Sequence, residues 1–269
     1  MRETLRHQNG AKAAEGPFED GRRQGTWLFW SESGRKLAEE EFVDGQRHGW
    51  HTSWHERTRL KRAEGAFERD LRTGKWTSWH ENGRMASEGE YLCGIECGPW
   101  RTWHDNGELE SQGAFDRGRR HGEWVLFHRN GRVGERGLYR EGLRTGPWTS
   151  WHPNGSIGAH GEYLEGERDG IWTTWHKNGR VETKGLFVGG QRTGVWRVWW
   201  DSGVPRCEGS FVEGVPFGWW EFWYEHGPQR AAGEYRDGKQ FGPWRCWNYD
   251  GSPDADTTGT YWDDVLQRR

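Results

Sequence analysis

The sequence predicts an all-β protein: tandem β-hairpins forming an elongated, twisted, single-layer antiparallel sheet. Three observations predict it. A G-x-W-x-x-W motif recurs at a near-constant spacing of 24 residues. A turn dipeptide, most often Asn-Gly, follows the motif at a fixed distance. On either side of that turn, residues alternate in character with period two, as a strand requires.

The motif begins at Gly25, Gly49, Gly74, Gly98, Gly122, Gly146, Gly170, Gly194, Gly218 and Gly242, and every step is 24 residues except one of 25. His51 replaces the first Trp of its copy, and Phe127 replaces the second Trp of another. Residues 1–24 read as a half-repeat and cap, 25–251 as a ten-copy array, and 252–269 as a C-terminal cap.

Within one copy, Asn82-Gly83 predicts a two-residue type I′ turn, because both central positions of that turn need positive φ. Counting outwards, His80 faces Met85, Ser78 faces Ser87, Trp76 faces Gly89 and Gly74 faces Tyr91. This face is aromatic, apolar and small, so it is the expected core. The opposite face carries Lys75, Thr77, Trp79, Glu81, Arg84, Ala86, Glu88 and Glu90. A strand glycine opposite Trp leaves room for a ring on bare backbone. With a return loop over residues 92–97, Gly89 also faces Trp100, and each such glycine is expected between two rings. The one extra residue falls in the turn at Arg57-Thr58-Arg59, where it disturbs no register.

Composition fits a core of this kind. Only 32% of the 269 residues are hydrophobic, yet 22 are Trp and 42 are Gly, so rings resting on small residues must replace a Leu/Ile/Val core. A net charge of -3 gives no broad nucleic-acid or membrane signal. The N-terminus reads as neither signal peptide nor membrane span, so a cytoplasmic protein is expected. Cys93, Cys97, Cys207 and Cys246 form no disulfide framework, and Cys93-x-x-x-Cys97 reads as loop.

The recurrent G-x-W-x-x-W-H-x-N-G, followed by Gly, an aromatic and a Gly-bearing loop, resembles the MORN-variant repeat, the type found in bacterial YwqK-family antitoxins. The resemblance covers about Gly10 to Gly251. It implies a hairpin-repeat sheet and a non-enzymatic, protein-binding role.

Candidate sites come in rows. The second aromatic of each copy, including Trp79, Trp103, Phe127, Trp151, Trp175, Trp199 and Trp223, falls on the charged face. Successive rings lie two strands apart, roughly 10 Å. Such a stripe is either a partner-binding surface or a second core row covered by sheet twist or a loop. A return-loop row, including Arg120, Arg144, Arg168 and Arg192, lines one edge; it either takes an anionic ligand or pairs with loop acids such as Glu141 and Glu165. His55, His80, His104, His128, His152 and His176 recur after the second Trp. Neighbours roughly 10 Å apart cannot share one zinc, so they read as packing residues, and no metal or cofactor is expected.

No G-x-S-x-G, P-loop, H-E-x-x-H or dinucleotide turn is present, so no enzyme is expected. The expected function is a cytoplasmic protein-binding scaffold: an antitoxin or immunity protein that blocks a partner, such as a cognate toxin, through the stripe. The alternatives are a self-associating structural or membrane-tethering scaffold, and a glycan-binding module that stacks sugars on Trp. A homo-oligomer fits the first alternative; nucleic-acid and membrane partners are not expected.

Overall fold

The computed structural model describes residues 1–267. The described residues form antiparallel strands joined by turns, with no helix among them and therefore none long and apolar enough to cross a membrane. The chain divides into two compact units: Met1–Arg132 with Tyr139–Gly142, and Val133–Leu138 with the chain from Leu143 onward. Within each unit, strands pair in sequence order, as from Leu71–Trp79 to Met85–Leu92 and on to Ile95–Trp103. The sequence-based expectation of tandem hairpins is met in both units.

Two kinds of turn alternate, and their chemistry is the reverse of the sequence-based expectation. The Asn-Gly turn is not type I′. In the Asn82-Gly83 turn only Gly83 has positive φ (82°). Its N–H donates to the His80 carbonyl at 2.9 Å, and His80 N–H donates to the Arg84 carbonyl at 2.8 Å. That is a three-residue loop ending in a left-handed glycine. Asn82 serves through its side chain: Oδ1 accepts from Arg84 N–H at 3.0 Å and Nδ2 donates to the Asp105 carbonyl at 2.6 Å. The type I′ geometry sits at the opposite end, where Cys93 (φ 50°) and Gly94 (φ 81°) join Leu92 to Ile95.

The three-residue loop shifts the ladder by one residue, so Met85 pairs with Trp79 and not with His80. The inner pairs stand as expected: Gly74 with Tyr91, Trp76 with Gly89 and Ser78 with Ser87. In the copy with the extra residue the turn absorbs it, with Arg59 at φ 62° and Ser53 still paired to Ala63.

Each return hairpin carries a second irregularity. Cys97 pairs with Glu90 and Arg101 with Glu88, so Gly98, Pro99 and Trp100 stand against the single Gly89. Gly98 is left-handed, at φ 63°, which is why the motif opens with glycine. The detour lifts Trp100 over the bare backbone: a Cβ on Gly89 would fall inside the indole. The same relation joins Gly16 to Trp27, Gly65 to Trp76, Gly161 to Trp172 and Gly233 to Trp244. The atoms nearest the position of the missing Cβ thus belong to the ring of the following copy, while the ladder pairs Gly89 with Trp76 of its own copy. Each indole also donates Nε1–H to the residue after its glycine, as from Trp76 to the Ala66 carbonyl at 3.0 Å.

These rings make the core. Trp148, Trp172 and Trp196 are 3–4% exposed. Between them stand Tyr or Phe rings at steep angles; Tyr163 meets Trp172 at 5.1 Å and 83°, and Phe187 meets Trp196 at 4.9 Å and 85°. Burying one such ring contributes on the order of 4–6 kcal/mol of gross transfer free energy.

One copy breaks the pattern with compensation. Where His51 replaces Trp, Glu40 replaces the glycine beneath it. His51 Nδ1 lies 3.0 Å from Glu40 Oε1, and the imidazole stacks on Trp76 at 5.5 Å. Both side chains are mostly buried, and the Nδ1 contact is a close approach without hydrogen-bond geometry.

Candidate functional site: the second aromatic row

The second aromatics, Trp79, Trp103 and Phe127 in the first unit and Trp151, Trp175, Trp199 and Trp223 in the second, are all partly buried. They are neither bare nor enclosed, unlike the first row. Opposite each in the ladder stands the residue that the turn shift places there. Trp79 pairs with Met85, Trp103 with Leu109, Trp151 with Ile157, Trp175 with Val181 and Trp199 with Pro205. Within each unit, rings and aliphatic spacers thus form a ribbon along this flank. Without the one-residue shift, Met85 and its equivalents read as residues of the other face, so the spacers were missed in the sequence. Their signal was available: an apolar residue sits two positions after the turn glycine in most central copies.

In the first copies the spacer is lysine. Lys36 Nζ stands 4.4 Å from the centre of the Trp54 ring and Lys61 Nζ 5.6 Å from Trp79, while each is also paired with a glutamate three residues on, at 2.6 Å. Those rings are occupied by cations of the chain itself. From Met85 onward most spacers are uncharged and apolar, as Leu109, Val133, Ile157 and Val181 are.

The histidines have a different duty. His80 Nε2 lies 2.7 Å from the Trp103 carbonyl, His104 Nε2 3.0 Å from that of Phe127, and His152 Nε2 2.7 Å from that of Trp175. A carbonyl only accepts, so Nε2 carries the proton in each. Each imidazole therefore ties one copy to the next at the turn edge. Further along, Tyr224 replaces histidine and its hydroxyl donates to the Trp247 carbonyl at 2.8 Å. Among the described residues no group of three His, Cys, Asp or Glu side chains could hold a metal ion.

The arginine row lies over the core rings, with Arg168 and Arg192 still exposed. The Arg120 guanidinium stands 4.4 Å from the Trp124 ring and 5.3 Å from Tyr139, whose hydroxyl accepts from it at 3.1 Å. Arg168 stands 4.5 Å from Trp172, and Arg192 4.7 Å from Trp196. Arg144 lies 4.3 Å from Trp148, donates to the Tyr163 hydroxyl at 3.1 Å and pairs with Glu135 at 2.7 Å. A flat guanidinium fits this role because it is weakly hydrated and stacks on rings. Their partners are therefore rings and tyrosine hydroxyls, with Glu135 the acid on Arg144, and not the return-loop acids Glu141 and Glu165.

The four cysteines are free thiols. Burial pushes the Cys207 thiol up from its ordinary value, against the lowering influence of Arg206, Arg230 and Arg192.

Comparison with known proteins agrees with the repeat. The family model described as MORN repeat variant matches residues 72–92 and 96–116. No curated protein matches the chain. Among solved structures, the chain is similar to TcdB2-TccC3 at 11% identity, covering 94% of this chain and 17% of that one, with a TM-score of 0.22. The TcdB2-TccC3-Cdc42 complex gives 10% identity, 94% and 17% coverage and a TM-score of 0.20. The Photorhabdus luminescens Tc holotoxin pore gives 10% identity, 98% and 18% coverage and a TM-score of 0.18. The chain spans about a sixth of the length of these structures, 17% for the first. The family likeness rests on residues 72–92 and 96–116, in the third and fourth copies, whose hairpin pattern the remaining copies repeat.

Proposed function

We propose that the chain is a non-enzymatic scaffold that binds one partner protein along the ribbon of second-row aromatics, in the manner of an antitoxin or immunity protein that covers its target. The observation that carries this reading is the half-exposure of Trp151 and Trp175 beside Ile157 and Val181, on a backbone pinned by hydrogen bonds at both edges. Flat rings on a rigid frame lose little side-chain freedom when covered, so most of the gain appears as affinity. Charged neighbours such as Lys184, Arg197 and Glu208 supply specificity and steer encounter. A target is blocked by such a surface without any chemistry, and the even spread of titratable groups supports a role of that kind.

The test is affinity purification from the native host followed by binding assays on folded variants. Joint Trp151→Ala and Trp175→Ala changes should weaken the recovered partner's binding by at least about 100-fold, as expected for two central aromatic anchors. Recovery of only the protein itself, as an oligomer built on the ribbon, would replace this reading with a self-assembling scaffold.

A further inference from the structure

The second unit bears another apolar field, on the turn-side half of the face opposite the Trp196 and Trp220 rings. Val195 pairs with Ser210, Ser210 with Phe217, and Val212 with Val215, which places these side chains on one face. Trp219 occupies in its copy the position that Val195 holds in the previous one. Val188, Val195, Val212, Val215, Phe217 and Trp219 are all exposed, Trp219 at 56% and Phe217 at 49%. At the Val195 position one copy of the first unit is charged, with Lys75 paired to Glu90, although Trp50 there, and the Leu92–Ile95 pair in the place of Val212 and Val215, are exposed and apolar, as Ile171 is in the second unit. The repeat geometry therefore does not require this field to be apolar. A soluble surface rarely leaves so many large apolar groups together without a use.

The field contains a concavity lined by Val212, Val215, Pro216 and Phe217, with Glu213 and Asp237 also lining it. Both acids sit in type I′ return turns, at φ 47° and 49°. Neither has an ion-pair partner among the described residues. The nearby cations are engaged elsewhere: Arg236 covers the Phe241 ring at 3.6 Å, and Lys239 pairs with Asp263 at 3.7 Å.

We propose that this field is a second docking surface, and that its occupant is a segment of a partner protein with apolar side chains flanked by lysine or arginine. The apolar groups seat in the concavity and the basic groups meet Glu213 and Asp237. An apolar centre with a charged rim is the usual anatomy of a specific interface. Two unpaired carboxylates select a basic segment over an acidic one. This field lies at the return-turn end of the strands whose other end carries Trp199 and Trp223, and its occupancy does not depend on the function of Trp151 and Trp175.

The test uses two short synthetic peptides with the same Leu-Val-Trp-Leu centre, one flanked by lysines and one by glutamates, each carrying a fluorescein. Fluorescence anisotropy should show the lysine-flanked peptide binding at least roughly tenfold tighter, the scale of one good charge contact at an interface. Hydrogen exchange should show its protection at residues 210–219. The double variant Glu213→Gln, Asp237→Asn should erase the preference between peptides. The double variant Phe217→Ser, Trp219→Ser should weaken both, with an unchanged melting transition as the folding control. The ribbon variant Trp151→Ala, Trp175→Ala should leave peptide binding as it was, so failure of the ribbon reading and failure of this one are distinguishable. Equal binding of both peptides, or protection elsewhere, overturns the proposal. So does a dimer in solution that Phe217→Ser, Trp219→Ser splits, because a second copy then covers the field.

Discussion

The ring of Trp172 occupies the space that a side chain on Gly161 would need. Its Nε1–H donates to the next carbonyl, that of Glu162, at 3.0 Å. Ring, glycine and carbonyl form one unit, and the same unit recurs along both halves of the array.

Core truncation should be expensive and ribbon truncation less so. Trp148→Ala should cost about 3–5 kcal/mol, the usual range for deleting a large buried ring. Gly161→Ala should cost about 1–3 kcal/mol, since the added methyl forces the Trp172 ring off its seat. Trp151→Ala should cost clearly less than Trp148→Ala, because its ring is only partly buried. Denaturant titration checks all three. Equal losses for Trp148→Ala and Trp151→Ala would make both rows core.

The Glu40–His51 contact should behave as a linked pair. His51→Trp alone should destabilise, because the indole meets the Glu40 side chain where other copies offer bare backbone. Glu40→Gly alone should also destabilise, because it removes the carboxylate beside the mostly buried imidazole. The double change restores the common arrangement and should be at least as stable as the original protein. A double-mutant cycle by thermal or chemical unfolding should give a coupling of about 1–3 kcal/mol. Simple additivity would show that the two residues do not communicate.

Much of this was legible in the sequence, for physical reasons. Strand parity follows from the even period, so the pairing of Trp76 with Gly89 could be counted from the turn. What could not be counted was the turn itself. Asn82-Gly83 satisfies the rule for a two-residue turn, but Asn82 keeps negative φ and uses its amide to reach Asp105 in the next copy. The same loop forms where Ser33, Ser202 or His226 precedes the glycine, so the dipeptide alone does not decide the turn. The one-residue shift then changes which side chain meets Trp79, and the spacers of the ribbon become visible only with the shift. The stacking of the arginines was equally hidden: Arg168 is exposed, and only the structure places the Trp172 ring beneath it.

Histidine at the turn edge should contribute through its bond and not through metal. His104→Gln should cost about 1 kcal/mol, as for a typical lost or weakened hydrogen bond. Metal analysis of the purified protein and the variant should give background zinc in both. Stoichiometric zinc that disappears in the variant would overturn the structural role.

Thiol reactivity should separate by burial. Cys93 is exposed at its turn and should be alkylated first by iodoacetamide. Cys207 should be slow, because burial disfavours its thiolate and raises its pKa above the ordinary 9.0. Raising the pH therefore accelerates Cys207 alkylation even above that value, since the thiolate population is still growing there. Mass spectrometry of peptides after timed labelling reads both rates. Faster labelling of Cys207 than of Cys93 at neutral pH would contradict the placement.

The seating of each Trp on the glycine of the copy before it gives the array a direction. Every copy presents a plug towards its N-terminal neighbour and a socket towards its C-terminal neighbour. At the N-terminal end Gly16 supplies the socket for Trp27, and at the C-terminal end Leu266 fills the socket at Gly259 in place of a ring. Most seams are thus interchangeable, so whole cassettes can be inserted, deleted or shuffled without a new interface having to arise. The seam between Glu40 and His51 is the exception, a private key that fits only its own lock, and a recombination event that parts them leaves a mismatched joint on both sides.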